Sequence, residues 1–166
     1  MAKKNIHVKT ILSEQFALAH YRKNWFADLR SAVKDLKTKE ALWKPRNEDH
    51  SVWEIIAHLN YWNNRFLVYF KGDHPGEWIG NNANTFQISS KTLKGELKRM
   101  NSIINEFDKR IRASKPKKIN TSLSKNYRSK WYSILINLSA HTAYHTGQIV
   151  MLRKMHRTWN AKKNGV

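Results

Sequence analysis

An all-α fold, most simply a single-domain four-helix bundle spanning 1–166, is predicted by three observations. Four segments repeat apolar residues at helical spacing, no alternating run with Asn-Gly or Asp-Gly turns marks a hairpin, and 166 residues suffice for one packed core.

The first segment runs from about Ser13 to Leu36. Its apolar stripe is Leu12, Phe16, Ala19, Phe26, Leu29, Val33 and Leu36, with Ser13 as N-cap and Glu14 suited to the helix dipole. Pro45 excludes a continuous helix through the connection Trp43 to His50. Ser51 then caps the second helix, with Glu54 as its capping-box partner. That helix carries Val52, Ile55, Ile56, Leu59, Trp62, Phe66 and Phe70 on one face and ends at Gly72 and Pro75. Residues 72–90 form a long polar connection rich in Gly and Asn, in which Trp78 and Phe86 point to segments that pack down. The third helix starts near Ser90 or Lys91, and its stripe Leu93, Leu97, Met100, Ile104, Phe107, Ile111 alternates steps of four and three. A basic connection from Lys115 to Lys130 leads to the fourth helix, about Trp131 to His156.

Composition narrows the chemistry. Seven tryptophans and 40% hydrophobic residues describe a folded chain, and no apolar run is long enough to span a bilayer. No apolar stretch follows Lys3 and Lys4, so no signal peptide is expected and the chain reads as cytoplasmic, without a membrane partner. Cysteine is absent, which removes disulfides, thiolate ligands and a cysteine nucleophile. Lys and Arg number 31 against 12 Asp and Glu, a net charge of +19. Fourteen of those basic residues and no acid follow Asp108. Such a surplus suits an anionic partner and equally a solvated surface.

Two of the eight histidines stand apart. In the fourth helix the stripe Ile134, Leu138, His141, His145, Gln148, Leu152 places two imidazoles where the core expects apolar side chains. Burying them is costly unless their nitrogens are satisfied. Spaced i and i+4, they share a helix face and can converge on one ion, although a hydrogen-bonded core pair would show the same spacing. No Glu follows His141, so the zinc-protease motif His-Glu-x-x-His is missing. His58, beside the buried stripe of the second helix, is the candidate third ligand, and a three-histidine site leaves a position open for water or substrate. His7, His20, His50, His74 and His156 read as ordinary surface, connection or helix-edge residues.

The segments Ser51-Val52-Trp53-Glu54-Ile55-Ile56-Ala57-His58-Leu59 and His141-Thr142-Ala143-Tyr144-His145-Thr146-Gly147-Gln148-Ile149 resemble the DinB-like superfamily of bacterial four-helix metalloproteins. The family pattern is a His followed by Leu in helix two and His-x-x-x-His-x-Gly-Gln in helix four. The resemblance implies a divalent metal, zinc or nickel, on His58, His141 and His145, and a homodimer. It also implies a small-molecule substrate, since assigned relatives transfer low-molecular-weight thiols or isomerise thiol adducts. The stretch Gly80 to Phe86 resembles the loop before helix three in Bacillus-type members. The basic last third departs from the usual pattern. Gly147, costly inside a helix, is expected to serve a close approach of backbone or ligand.

Two functions follow. In the first, the chain is a metal-dependent enzyme, a thiol transferase or a hydrolase, with Gln148, Glu54 and the 72–90 loop as candidate polar helpers. In the second, it is a basic nucleic-acid-binding module built on Lys115, Lys117, Lys118, Lys125, Arg128 and Lys130 with Tyr127 and Trp131, lacking any base-reading motif and so limited to non-specific polyanion binding. A metal-stabilised structural bundle without turnover is the third expectation.

Overall fold

A computed structural model describes residues 7–46, 50–124 and 127–164. Within it the chain forms α1 (Val8–His20), α2 (Leu29–Ala32), α3 (Thr38–Leu42), α4 (Val52–Lys71), α5 (Leu93–Ala113), the strands β1 (Ser122–Ser124) and β2 (Tyr127–Lys130), α6 (Trp131–Met155) and α7 (Ala161–Asn164). Two 3-10 turns, Asn82–Phe86 and Pro116–Asn120, lie in the connections. The fold is all-α in its core. Helices α1, α4, α5 and α6 are the four long ones, with α1 packed on α6 and α5, and α4 on α5 and α6. Phe16, Ile56, Leu59, Met100, Ile104, Phe107, Leu135 and Ile149 are fully buried between them.

The strongest sequence signals set the best-defined ends. The Ser51 hydroxyl accepts from the Glu54 N–H while the Glu54 carboxylate accepts from the Ser51 N–H, a complete capping box. Gly72 closes α4 with φ of 99°, a left-handed conformation that favours glycine. Helix α5 begins at Leu93 behind the cap Thr92, and its expected stripe is buried except for the half-buried Leu97. Glu96 is fully buried, and its carboxylate accepts from the Asn60 amide and the Ser90 N–H. It thereby ties the end of the long loop to α4.

Two expectations are corrected. The first helix does not continue to Leu36, and Ser13 lies inside it rather than capping it. Asn24 donates to the carbonyls of Leu18 and Arg22 and accepts from the Phe26 N–H. Asp28 then starts a separate short helix by accepting from the Ser31 N–H. Local side-chain bonds to the backbone thus replace the helical ladder, although Leu29, Val33 and Leu36 still reach the core. The second correction is a hairpin within the basic connection: β1 and β2 pair antiparallel, Ser122 with Lys130 and Ser124 with Tyr127. Its strands are polar and largely exposed, which hides it from hydrophobic periodicity.

Part of the basic surplus is structural. Arg153 is 3% exposed and donates to the carbonyls of Ala32, Lys34 and Thr158, while its guanidinium lies over the Trp159 ring. Arg110 and Arg112 pair with Glu106 and Asp108 one turn back. Lys125 of the basic stretch, Lys3 and Lys4 near the N-terminus, and residues 47–49 of the connection after Pro45 lie outside the described residues. No described helix is long and apolar enough to cross a membrane.

Candidate metal centre

Helices α4 and α6 bring His58, His141 and His145 together. One ligand atom from each lies within 4.8 Å of the others. His58 Nε2 and His141 Nε2 are 3.0 Å apart, close to the separation of about 3.3 Å expected for two nitrogens on one tetrahedral ion. His58 and His145 are buried, and His141 is half-buried at the rim.

At His58 and His145 the Nδ1 atom has a partner of its own, which leaves Nε2 free for the cluster. His58 Nδ1 lies 2.5 Å from Thr85 Oγ1, and the Thr85 hydroxyl donates to the Asn82 carbonyl. A hydroxyl has one proton to give. Thr85 therefore accepts from His58, so Nδ1 carries the proton and Nε2 keeps its lone pair. His145 Nδ1 donates to Gln148 Oε1 at 2.6 Å, which likewise frees its Nε2. Gln148 in turn donates to the Tyr144 hydroxyl. Such outer partners fix tautomer and ring orientation in metal-binding histidines. Burial pushes the pKa of His58 down to about 3 and that of His141 down to about 4, and it lowers His145 as well. The neighbouring imidazoles add to the drop at His58 and His141. All three are neutral near pH 7, the state a metal ligand requires. The donor set thus fits a divalent cation.

Phe86 stacks on the His58 ring at 4.0 Å and His50 stacks on Phe86 at 3.7 Å, roofing one side of the cluster. A cleft of about 500 Å³ opens beside the cluster, with Phe86 itself in its lining. Helix α4 lines it with His58, Trp62 and Phe66. Helix α6 contributes the histidine pair, Tyr144 and the turns before them, and the hairpin contributes Tyr127 and Ser129.

Contacts correct several of the expected roles. Glu54 is not a site residue: its carboxylate serves the α4 cap and pairs with Lys44. Gly147 meets no close neighbour, since a Cβ there would find nothing within 4 Å. The buried line of α6 runs through Leu135, Leu138, Thr142, His145, Ile149 and Leu152, leaving Gln148 half-buried beside His145. The 72–90 loop does reach the site, through Asn82, Thr85 and Phe86. Sequence reasoning does not reach Thr85 or the place of Tyr127 in the cleft. The Asn-rich run around Thr85 is visible, but nothing local says where a loop or an exposed strand docks. His50, expected to be an ordinary connection residue, sits in the stack over the site.

No curated protein and no solved structure matches the chain. The sequence profile of the DinB superfamily matches residues 20–149, from the end of α1 through both histidines of α6. The chain belongs to the DinB superfamily.

Proposed function

We propose that His58, His141 and His145 hold one divalent ion, zinc or nickel, through their Nε2 atoms, and that the chain is a metal-dependent enzyme acting on a small molecule in the adjoining cleft. One observation carries this: Thr85 and Gln148 each take the Nδ1 proton of a buried histidine, leaving lone pairs that face a common point. An ion held there supplies Lewis acidity and lowers the pKa of a bound water or thiol. The protein's own part is to keep three imidazoles neutral and oriented and to shield one face with Phe86.

Thiol transfer is preferred over hydrolysis on the resemblance alone, since a cation that ionises a bound thiol ionises a bound water as well. Among the described residues no carboxylate lines the cleft to serve as a general base for either nucleophile. A homodimer, from the resemblance, and a cytoplasmic location complete this reading. The exposed basic hairpin supports only a non-specific polyanion contact alongside it.

The test is a paired assay on metal-loaded protein. A low-molecular-weight thiol is offered an aryl halide electrophile, and separately a 4-nitrophenyl ester is offered to water. Metal-dependent thioether formation that is lost in His141→Ala is the expected result. Ester cleavage alone would move the activity to the hydrolase class. Neither reaction, with metal bound, would leave a structural metal bundle.

A further inference from the structure

Helix α4 carries His58, Trp62 and Phe66 along the cleft at steps of four residues. Eight residues at 1.5 Å each take that wall roughly 12 Å away from the histidines. Helix α6 follows the same length from His141 back to Ser133, also eight residues. At that start of α6 the chain arrives from β2, Lys130 directly preceding Trp131. Successive residues of a strand face opposite sides: Tyr127 and Ser129 line the cleft and Arg128 and Lys130 do not, all four being exposed. The described lining therefore offers aromatic and aliphatic faces, imidazoles, hydroxyls and amides, with no Asp, Glu, Lys or Arg. Among the described residues, no charged side chain of this very basic chain lines its cleft.

This lining has consequences for a ligand. An ionised group carried beyond the histidines would lose water without gaining a countercharge, which is costly. A flat apolar body would instead meet ring faces. We infer that the cleft selects ligands with a metal-binding head and an uncharged aromatic body about two helical turns long, and that Tyr127 of the hairpin reads the far end of that body. The inference rests on the metal centre proposed above.

Calorimetry on the zinc-loaded full chain tests it, with acetohydroxamic, benzohydroxamic, 4-phenylbenzohydroxamic and 4-carboxybenzohydroxamic acids. Physiological salt, with a screening length of about 8 Å, suppresses long-range attraction by the basic surface. Each added ring should tighten binding about tenfold, the gain expected for burying one aromatic group. The carboxylated compound should bind more weakly than its parent. Tyr127 is half-exposed, so Tyr127→Ala takes little from the core. It should erase the gain from the second ring and leave acetohydroxamic acid unaffected. Equal affinities across the uncharged series, tightest binding of the carboxylate, or a second-ring gain that survives Tyr127→Ala would each overturn the inference. Failure to take up zinc would overturn the metal centre with it, whereas zinc uptake with a flat series overturns the ligand class alone.

Discussion

His20 and the cluster of His58, His141 and His145 are imidazoles buried by the same bundle, yet they are satisfied in opposite ways. His20, fully buried and stacked on Phe16, donates from Nδ1 to the Phe16 carbonyl at 2.7 Å and accepts at Nε2 from the Thr142 hydroxyl at 3.1 Å. Both of its nitrogens are satisfied within the chain. At His58 and His145 one nitrogen is tied to a neighbouring side chain and the other is turned toward the cluster. Burial alone therefore does not distinguish a structural histidine from a ligand. The direction of the second lone pair does.

The largest expected effect lies on the cluster. Losing an outer-shell partner typically costs 10- to 100-fold in metal affinity. Replacing His58, His141 or His145 by Ala should therefore cost more than about a hundredfold, read by competition with a chelating dye. His20→Gln should leave that affinity nearly unchanged. Equal losses in His141→Ala and His20→Gln would erase the distinction.

Stability should respond in the reverse order. His20→Ala removes a stacked core ring and strands the Thr142 hydroxyl, at a cost of about 2–4 kcal/mol in denaturant unfolding. His20 also gives the metal-free protein a pH dependence. Burial lowers its pKa from 6.5 to about 4 in the folded state, so below pH 6.5 the unfolded chain takes up the proton first. Stability is fully present above that pH and falls as pH drops toward 4, by about 3 kcal/mol from this group. The metal-free cluster acts in the same direction. His20→Gln should make the slope shallower, and an unchanged slope would remove His20 from this role.

Outer partners come next. Thr85→Val and Gln148→Ala should each weaken metal binding about 10- to 100-fold, with the fold retained. An affinity equal to wild type would mean that the Nδ1 contacts do not orient the rings. The smallest effect belongs to the α4 cap: Ser51→Ala should cost about 1 kcal/mol of stability and leave metal affinity alone.

Legibility in the sequence follows the range of the interactions. Helices α4 and α5 are readable because their caps and stripes are local: Ser51 with Glu54, Gly72, and the alternating fours and threes from Leu93 to Ile111. The first segment misleads because apolar spacing carries on through Asn24 and Asp28, whose side chains rebuild the backbone bonding. The hairpin has no apolar face to betray it. At the site, His141 and His145 are visible as polar residues in an apolar stripe, and the superfamily pattern supports His58 beside them. Thr85, Phe86 and Tyr127 come from connections whose docking depends on distant helices, so no local period marks them.

The central claim is that three lone pairs in this bundle converge on one cation. Elemental analysis of protein never exposed to a nickel column tests it most directly, with zinc and nickel titration of the stripped chain alongside. About one divalent ion per chain is expected for a single three-histidine site, present in wild type and His20→Gln and lost in His141→Ala. A wild-type chain that carries no ion and takes none up on titration would contradict the account.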